Sequence, residues 1–366
     1  DVLTGAIEQG IGPQAVIYCL AAIGLNIHFG YTGLLNFGQA AFMMVGGYAM
    51  GALIQDQGWP LFPSIIIGLL AAVALALILG VPTLRLRADY LAIATIAAAE
   101  AIRQVLGSAT LKDQFGGQDG RYGFVDGMRS LNFIPKGGVH FLGLSFRSYD
   151  FFIMVVGWAI ALILCGLVFL LMRSPWGRVL KSIREDEDAV RSLGKNVYAY
   201  KMQALVLGGV IGSMAGMMSG LATSNVAPSD FATDTTFFIY IIVLIGGAAR
   251  VFGPVAGALI CWFFLSGLDL FFDKMTSGSN PAIPASIMTS DGRFGAVVGV
   301  RRVRNPVLVA VRVLETPHLA LAGDGATAFA RRLGFADFDP TTENARKKHA
   351  RAIAELVGEG DGAFAV

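Results

Sequence analysis

The chain has few charged residues and few cysteines, and both shortages narrow what it can be. Only 15% of its 366 residues are charged and 55% are hydrophobic, whereas a soluble domain carries about 25% charged residues. The three cysteines lie in three separate apolar stretches, so neither a disulfide framework nor a Cys-x-x-Cys metal site is indicated. The net charge of +2 gives no sign of nucleic-acid binding. This composition excludes an ordinary soluble protein.

Long apolar runs fill most of the chain before residue 290. A helix of about 20 apolar residues is long enough to cross the hydrocarbon core of a bilayer. The sequence predicts an all-α polytopic membrane protein with about eight transmembrane helices, near residues 13–30, 35–55, 61–82, 88–106, 150–172, 202–222, 237–249 and 253–272. The seventh run is short and glycine-rich at its end, which predicts a broken or re-entrant element there.

Glycines recur on the sixth predicted span with a spacing of four residues, at Gly208, Gly212, Gly216 and Gly220. This spacing places them on one stripe of a helix, where small residues let two backbones approach closely. We expect this stripe to be a helix-packing surface.

Lys and Arg in the loops predict the orientation of the spans. The loop 173–201 holds seven basic residues, which makes it cytoplasmic by the positive-inside rule. Counting spans from there makes residues 31–34 and the turn with Arg85 and Arg87 cytoplasmic, and residues 107–149 and Asp1 external. Because Asp1 follows no signal peptide, we expect that part of the natural chain precedes it.

The cytoplasmic loop contains a segment that differs from an ordinary connection. Residues 174–194 begin with a proline turn and then fit a short amphipathic helix, whose apolar anchors are Val179, Ile183, Val190 and Leu193. Four consecutive acidic residues, 185–188, fit an anionic lipid surface poorly. We therefore expect a protein partner at this helix, with a solvated charged loop as the alternative.

Four stretches resemble permease subunits of bacterial ABC importers for branched-chain amino acids: residues 24–42, 90–103, 178–194 and 245–259. They occur in the family's order and cover the chain to about residue 290. The resemblance implies that residues 178–194 form the coupling loop that docks on a cytoplasmic ATPase, through Arg184, Glu185, Asp186, Ala189, Leu193 and Gly194. Permeases for urea and short-chain amides share this scaffold, so they stay open as alternatives to Leu, Ile and Val transport.

The resemblance also implies partners and a location. An importer of this kind contains ATP-binding cassette subunits, a second homologous permease and a periplasmic or lipid-anchored amino acid binding protein, and it lies in the bacterial inner membrane. No GxxxxGK[ST] motif occurs in the sequence, so ATP and Mg²⁺ would bind on partner subunits. We expect no catalytic site, cofactor or metal in this chain and no nucleic-acid partner.

Four polar residues inside the predicted spans are candidates for the translocation path. Asn36 and Gln39 begin the second span, where they could bind a zwitterionic substrate or satisfy backbone groups at a helix end; the second role is favoured. Glu100 and Arg103 share one face of the fourth span, where they can pair and either line the path or brace the helix. His28 has no Cys, His or carboxylate cluster beside it, so we expect a packed or interfacial residue rather than a ligand.

The composition changes after residue 290. Residues 291–366 contain eleven Lys or Arg and nine Asp or Glu. Strand-like and helix-like patterns alternate there, at residues 294–300, 305–314, 318–322 and 326–333. The sequence therefore predicts two domains, a permease over 1–290 that is truncated at both ends and an α/β fragment over 291–366.

The tail resembles an internal piece of plant-type asparaginase or isoaspartyl peptidase, over residues 295–308, 316–326 and 329–334. The resemblance implies a hydrolase whose nucleophilic threonine follows a glycine, and no Gly-Thr pair occurs in the sequence. We expect an incomplete, poorly ordered and inactive tail, joined through a chimeric gene model. The rival functions are a membrane-tethered amidase and, in a third class, an ion channel, for which the sequence offers no filter-like repeat.

Overall fold

The structure, a computed structural model, describes residues 2–86, 88–135, 139–141, 144–276, 283–288, 294–300, 303, 305–316 and 320–337. Its internal contacts divide the chain into two units, Asp1–Leu270 and Phe271–Val366. This division falls earlier in the chain than the boundary expected at 290/291. Arg87, part of the predicted cytoplasmic turn, lies outside the described residues.

The first unit consists mainly of helices. Its helices are α1 Val2–Ile11, α2 Pro13–Leu25, α3 Gln39–Gln57, α4 Leu61–Thr83, α5 Ala88–Leu106, α6 Lys112–Phe115, α7 Asp126–Ser130, α8 Ser148–Arg173, α9 Pro175–Glu185, α10 Glu187–Ser192, α11 Val197–Thr223, α12 Thr233–Gly246 and α13, which begins in this unit and spans Gly253–Thr276. A π-helix, Asn26–Tyr31, continues α2. The short strands are β1 Arg121–Tyr122, β2 Val139–Phe141, β3 Leu144–Phe146 and β4 Asn225–Val226; β1 pairs with β4 and β2 with β3, both antiparallel.

The eight predicted spans all correspond to helices, which confirms the all-α polytopic fold class. Five of the described helical segments are long and apolar enough to cross a membrane, namely Pro13–Tyr31, α4, α8, α11 and Gly253–Phe271. The α12 helix is apolar but has only 14 residues. The α3 and α5 helices carry more polar side chains, among them Asp56 on α3 and Glu100 and Arg103 on α5.

The helices sort into central and peripheral ones. In the most apolar window, 83% of the Pro13–Tyr31 segment and 72% of α11 are buried, against 33% of α4 and of α8. A Cβ at Gly212 would meet the Gln39 side chain, and one at Gly216 would meet the Met43 carbonyl. The glycine stripe of α11 is therefore a packing surface against α2 and α3, as predicted.

The chain is not helical where the second span was expected to begin. Residues 33–38 have no regular secondary structure, and α3 starts at Gln39 rather than at residue 35. Gly33 takes a φ of 72°, and Asn36 Oδ1 accepts a hydrogen bond of 2.9 Å from Gly38 N. The Asn36 side-chain oxygen thus takes the place of the backbone carbonyl that would accept this bond in a helix. The neighbouring residues are apolar, so the sequence pattern does not show that the helix is interrupted here.

A second break follows α12, where the sequence predicts one. Gly247 and Ala249 take positive φ angles of 96° and 61°, so the helix cannot continue. The chain turns through residues 247–252 and returns as α13. The α12 and α13 helices pack closely, because a Cβ at Gly246 would meet the Gly253 carbonyl and one at Gly257 would meet the Ile242 carbonyl.

The predicted amphipathic helix of the loop 173–201 is two helices, α9 and α10, and this corrects the sequence analysis. Asp186 lies between them in extended backbone, where its Oδ1 accepts a hydrogen bond from Ala189 N at 3.0 Å. Ile183 and Val190 are buried as expected, but Leu193 is 79% exposed. Leu193 is not an anchor, because α10 ends at Ser192 and Gly194 turns the chain with a φ of 74°.

Loops group at two opposite ends of the first unit. At one end, Arg184 bonds to Gly30 at 2.5 Å and the Arg85 guanidinium lies 6.0 Å from the centre of the Tyr198 ring. At the other end, Arg121 forms an ion pair with Asp56, and β1 pairs with β4. This is the grouping of loops that the positive-inside rule predicts.

The described part of the second unit is an α/β fold. Its elements are β5 Ile283–Met288, β6 Phe294–Val300, α14 Pro306–Val313, β7 Ala320–Ala322 and α15 Gly323–Arg332. Strand β6 pairs antiparallel with β5 and parallel with β7. The predicted tail elements are confirmed within the described residues, and residues 318–319 lie outside them. The buried core consists of Val297, Val300, Val303, Val309, Ala310, Val313, Ala326 and Ala330.

Candidate functional site

Asn26 joins the π-helix to the turn between α12 and α13. Its Nδ2 donates a hydrogen bond to Arg250 O, and its Oδ1 accepts one from Ala249 N, both at 2.9 Å. One side chain thus satisfies a donor and an acceptor of the α12–α13 turn, which has left the helical pattern. Asn26 is buried, so the π-helix and the turn are held together in the interior.

A chain of buried hydrogen bonds holds the non-helical residues 33–38. His28 accepts at Nδ1 from Asn36 Nδ2 and donates from Nε2 to Leu205 O, each at 3.0 Å. Tyr240 OH donates to Asn36 O at 3.1 Å. His28 is buried, and the Asn36 side chain bonds to His28 and to Gly38 N.

Gln39 links the start of α3 to its neighbours. Its Nε2 lies 3.3 Å from both Ala21 O on α2 and Gly208 O on α11. Its Oε1 is buried and has no hydrogen-bond partner among the described residues. At the next residue, Ala40 N donates a hydrogen bond to Thr236 Oγ1 on α12 at 3.1 Å. The start of α3 is therefore the point at which α2, α11 and α12 meet.

The predicted coupling residues separate into two groups in the structure. Arg184 faces the bundle, because its Nη1 donates to Gly30 O in the π-helix at 2.5 Å. Asp186 caps α10. The remaining four are exposed and make no side-chain contact to the bundle, namely Glu185, Ala189, Leu193 and Gly194. A partner that contacts these exposed residues would be linked to the π-helix through the Arg184 side chain.

An ion pair joins α10 to α11, and a second one lies within α10. Glu187 binds Arg191 at 2.8 Å on its own helix and pairs with Lys201 on α11. Beside them lies an open groove of about 710 Å³ whose charged lining side chains are Arg85, Glu187, Asp188, Arg191, Lys195 and Lys201. This end of the unit therefore offers a charged surface next to α10.

Glu100 and Arg103 pair with each other, as their spacing predicts. Arg103 Nη2 and Nε lie 2.6 and 2.8 Å from the Glu100 carboxylate, and Gln104 Nε2 adds a bond of 2.7 Å. The Glu100 side chain is 37% exposed. The α5 helix contacts Pro228–Phe231, the segment before α12.

A cavity of about 410 Å³ opens at the end of the unit opposite α9 and α10. Most of its lining is polar: Gln14, Tyr18, Ser219, Thr223, Asn225, Asp230 and Thr235, with Ile17, Met43 and Phe231 as apolar members. We call it the outer cavity. It lies between α2, α3, α11 and α12, the helices that meet at Gln39. The sequence analysis missed Asp230 and Asn225; the turn signal Ala227-Pro228 was the available clue.

Comparison with known proteins bears on the whole first unit. The family model described as branched-chain amino acid transport system / permease component matches residues 10–282. The chain belongs to this family. The permease LivM of Escherichia coli K12, named for high-affinity branched-chain amino acid transport, is 32% identical over 263 residues, which are 68% of this chain and 61% of that protein. The chain thus spans less than two thirds of that relative's length.

Other permeases give the same result. The probable branched-chain amino acid transport permease LivM of Methanocaldococcus jannaschii is 28% identical over 297 residues, covering 70% of this chain and 79% of that protein. The described helices and the family together establish a multi-pass membrane permease.

The tail matches a different family. The model described as asparaginase matches residues 275–361, so the two matches overlap at 275–282. The plant-type L-asparaginase of Pyrococcus furiosus is 46% identical over 91 residues, which are 21% of this chain and 30% of that protein. The permease therefore carries an asparaginase-like segment at its C-terminal side, as its sequence resemblance predicts.

Proposed function

We propose that this chain is the membrane-spanning permease subunit of an ATP-driven importer of branched-chain amino acids in the bacterial inner membrane. The observation that carries the proposal is the family match over residues 10–282. Relatives named for branched-chain amino acid transport support Leu, Ile and Val as cargo. The contact of Arg184 with the broken segment supplies a route by which ATP hydrolysis elsewhere can move the bundle.

The importer needs subunits that this chain does not supply. The sequence has no Walker A motif, so separate ATP-binding cassette subunits bind ATP and Mg²⁺. A second homologous permease completes the path, and a periplasmic or lipid-anchored binding protein delivers the amino acid. This chain acts as a transport subunit with no cofactor of its own.

Coupling runs from the cytoplasmic end into the bundle. The ATPase contacts the exposed residues Glu185, Ala189, Leu193 and Gly194, and α9 moves with it. Arg184 then shifts the Gly30 carbonyl. The π-helix and residues 33–38 are the weakest part of the α2–α3 connection, because a π-turn and irregular backbone replace the regular helical ladder.

The four polar candidates divide between two roles in this mechanism. Asn36 and Gln39 hold the hinge between α2 and α3, since their nitrogens bond to His28, Ala21 O and Gly208 O. Glu100 and Arg103 brace the outer end of α5 through their mutual ion pair. The substrate enters by the outer cavity, which leads toward Gln39.

A permease for urea or short-chain amides is the alternative cargo assignment on the same scaffold. Urea is uncharged, whereas a branched-chain amino acid carries an ammonium and a carboxylate at neutral pH. The two assignments are separated by whether leucine or urea, presented with the binding protein, stimulates ATP hydrolysis by the assembled complex.

We propose two domains, a permease domain and an inactive hydrolase-like segment; the pairing of β5 with β6 supports a boundary before Ile283 rather than the expected one at 290/291. The segment covers 30% of the plant-type asparaginase it matches, and the sequence holds no Gly-Thr pair. The full chain incubated with asparagine is expected to release no ammonia above a buffer control. Steady ammonia release that is lost on Thr316→Ala or Thr327→Ala would favour the amidase instead.

The test of the proposed function is assembly. The tagged full chain is co-expressed with its candidate ATPase and permease partners and purified in mild detergent. We expect both partners to co-purify and leucine-loaded binding protein to raise ATP hydrolysis. A chain that purifies alone, or a complex that responds only to urea, contradicts the proposal.

A further inference from the structure

The outer cavity contains one charged side chain among the described residues that line it, the carboxylate of Asp230. Lys, Arg and His are missing from that lining. A concave site with one carboxylate and no cation attracts positively charged groups and repels bare anions. The cavity therefore favours a ligand that presents an ammonium group.

The Asp230 carboxylate is held in place and still has a free oxygen. Oδ2 accepts a hydrogen bond from Ala227 N at 3.0 Å, and the Asp230 carbonyl accepts one from Thr235 Oγ1 at 3.2 Å. Within the described part of the chain, Oδ1 accepts no hydrogen bond. The turn thus fixes the carboxylate while one oxygen stays available to a ligand.

Asn225 provides a second, independent sign of a binding site. It lines the same cavity, and its Oδ1 is buried without a hydrogen-bond partner among the described residues. Buried polar atoms in folded proteins are nearly always hydrogen-bonded. An ammonium group has three N–H donors, so it can serve the Asn225 oxygen and the Asp230 carboxylate.

The rest of the cavity fits a small amphipathic molecule. Its volume of about 410 Å³ lies within the ~300–1,000 Å³ that small-molecule sites occupy. Ile17, Met43 and Phe231 are buried apolar members of the lining. They offer apolar surface to an aliphatic side chain beside the polar group.

We propose that the outer cavity is the site at which an amino acid first binds to the permease, with Asp230 and Asn225 accepting its α-ammonium group. This inference rests on the proposed function and adds a binding site to it. The site selects amino acids over the corresponding 2-oxo acids, which have the same side chain and carboxylate but lack the ammonium group.

The first test compares two isosteric variants in the reconstituted importer. Asp230→Asn keeps an acceptor for Ala227 N but removes the charge from the cavity. Asp234→Asn is the matched control, because Asp234 accepts from Thr235 N at 3.0 Å and does not line the cavity. We expect leucine uptake at saturating binding protein to fall about tenfold in Asp230→Asn, as for loss of a charge-assisted contact, and to stay within about twofold in the control.

The second test detects the ligand directly and needs no transport. Ser219→Cys places a thiol in the cavity wall, while the three natural cysteines are buried. Leucine is expected to slow the reaction of this thiol with a membrane-impermeant maleimide, and 4-methyl-2-oxopentanoate is not. Adding Asp230→Asn removes the protection by leucine.

The outcomes separate the two proposals. If the wild-type complex takes up leucine but Asp230→Asn transports it equally well, or leucine gives no protection, the cavity assignment is wrong and the importer assignment stands. If the wild-type complex takes up no branched-chain amino acid, the importer assignment fails first.

Discussion

Arg184 is a side chain through which α9 contacts the π-helix that follows α2. It donates to Gly30 O, and its stem lies against Gly33, which has a positive φ. The Gly30 carbonyl lies in a π-helix, where the backbone hydrogen bonds already depart from the α-helical pattern. It is therefore a suitable point at which a movement of α9 can act on the backbone. The residue therefore links a surface contact to a backbone segment that can move.

Replacing Arg184 is expected to uncouple ATP hydrolysis from transport. Arg184→Ala removes the bond to Gly30 but leaves the exposed tip of α10 unchanged, so the ATPase still binds. Leucine uptake per ATP hydrolysed should fall about tenfold, within the usual range of coupling free energies. Arg178→Ala on the same helix is the control, and equal uptake by both variants would exclude Arg184 as the link.

Asn26 is expected to stabilise the fold through its two bonds to the α12–α13 turn. Asn26→Ala leaves Ala249 N, in a partly buried residue, and Arg250 O, in an exposed residue, without these partners, at a cost of about 1–3 kcal/mol. Asn26→Asp keeps the acceptor for Ala249 N but places a buried carboxylate oxygen against the Arg250 carbonyl, so its thermal midpoint in detergent should also fall. The same midpoint for all three proteins would contradict this role.

Sequence patterns identified some of these residues and not others, for a physical reason. Glu100 and Arg103 stand out because charges in an apolar run are rare, and their pairing follows from helical spacing. Asn26 is a single amide inside an apolar run, and its partners are more than 200 residues away. Such a long-range contact leaves no mark on local periodicity.

At the scale of elements, α9 and α10 are two short consecutive helices, and the exposed residue Leu193 forms the tip at the end of α10. A large apolar side chain that is 79% exposed at the end of a fixed helix is suited to a pocket on a partner. Glu185 is exposed in the same region. These two residues offer an apolar anchor and a charge.

Changing this tip is expected to weaken ATPase association without unfolding the permease. Leu193→Ala and Glu185→Lys should each lower the affinity for the ATPase about tenfold, as for a residue at the centre of an interface. Asp186 is better changed to Asn, because Lys would also remove the cap of α10. Co-elution on size exclusion measures the effect.

Leu131→Ala is the matched control for Leu193→Ala. It is also an exposed leucine, but it follows α7 at the opposite end of the first unit. Unchanged ATPase binding by both the Leu193 and the Glu185 variants would show that α10 is not the docking element.

The glycine stripe of α11 permits a second prediction at this scale. Gly216→Ala would place a Cβ against the Met43 carbonyl, whereas a Cβ at Gly166 on α8 meets nothing within 4 Å. Gly216→Ala should cost about 1–3 kcal/mol by overpacking, and Gly166→Ala should be neutral or stabilising by up to about 1 kcal/mol. Thermal midpoints in detergent that fall equally would contradict the packing of α11 on α3.

Helices were more predictable than the breaks between them. Apolar runs located a helix at each of the eight predicted spans, and five of the described segments are long and apolar enough to cross a membrane. The connection between the first two spans was predicted at residues 31–34 but lies at 33–38, since Leu35 and Phe37 continue the apolar pattern of the second span. Asp186 likewise divides a segment that looks like one helix.

At the scale of the whole molecule, the first unit has a charged end and a cavity end. Helix α11 has 27 residues and therefore spans ~40 Å at 1.5 Å per residue, from α10 to the outer cavity. The π-helix after α2 lies near the charged end, where Gly30 bonds to Arg184, and Asn26 links it to the α12–α13 turn. An importer needs this arrangement, because the site of ATP hydrolysis and the site of substrate arrival face opposite compartments.

The chain belongs to the permease family and carries an asparaginase-like segment, and composition made their order predictable. Charged residues become frequent after residue 290, but the asparaginase match begins at 275 and β5 at Ile283. Residues 283–288 are apolar, so composition assigns them to the permease, whereas pairing with β6 assigns them to the second unit. A strand's partner cannot be inferred from its hydropathy.

The most direct measurement is ATP-dependent uptake of labelled leucine by proteoliposomes that contain the full chain, its ATPase and permease partners and the binding protein. The account predicts uptake that requires ATP, that unlabelled isoleucine and valine inhibit and that urea does not. Uptake of urea but not of leucine, or no ATP-dependent uptake by a correctly assembled complex, would contradict the central claim.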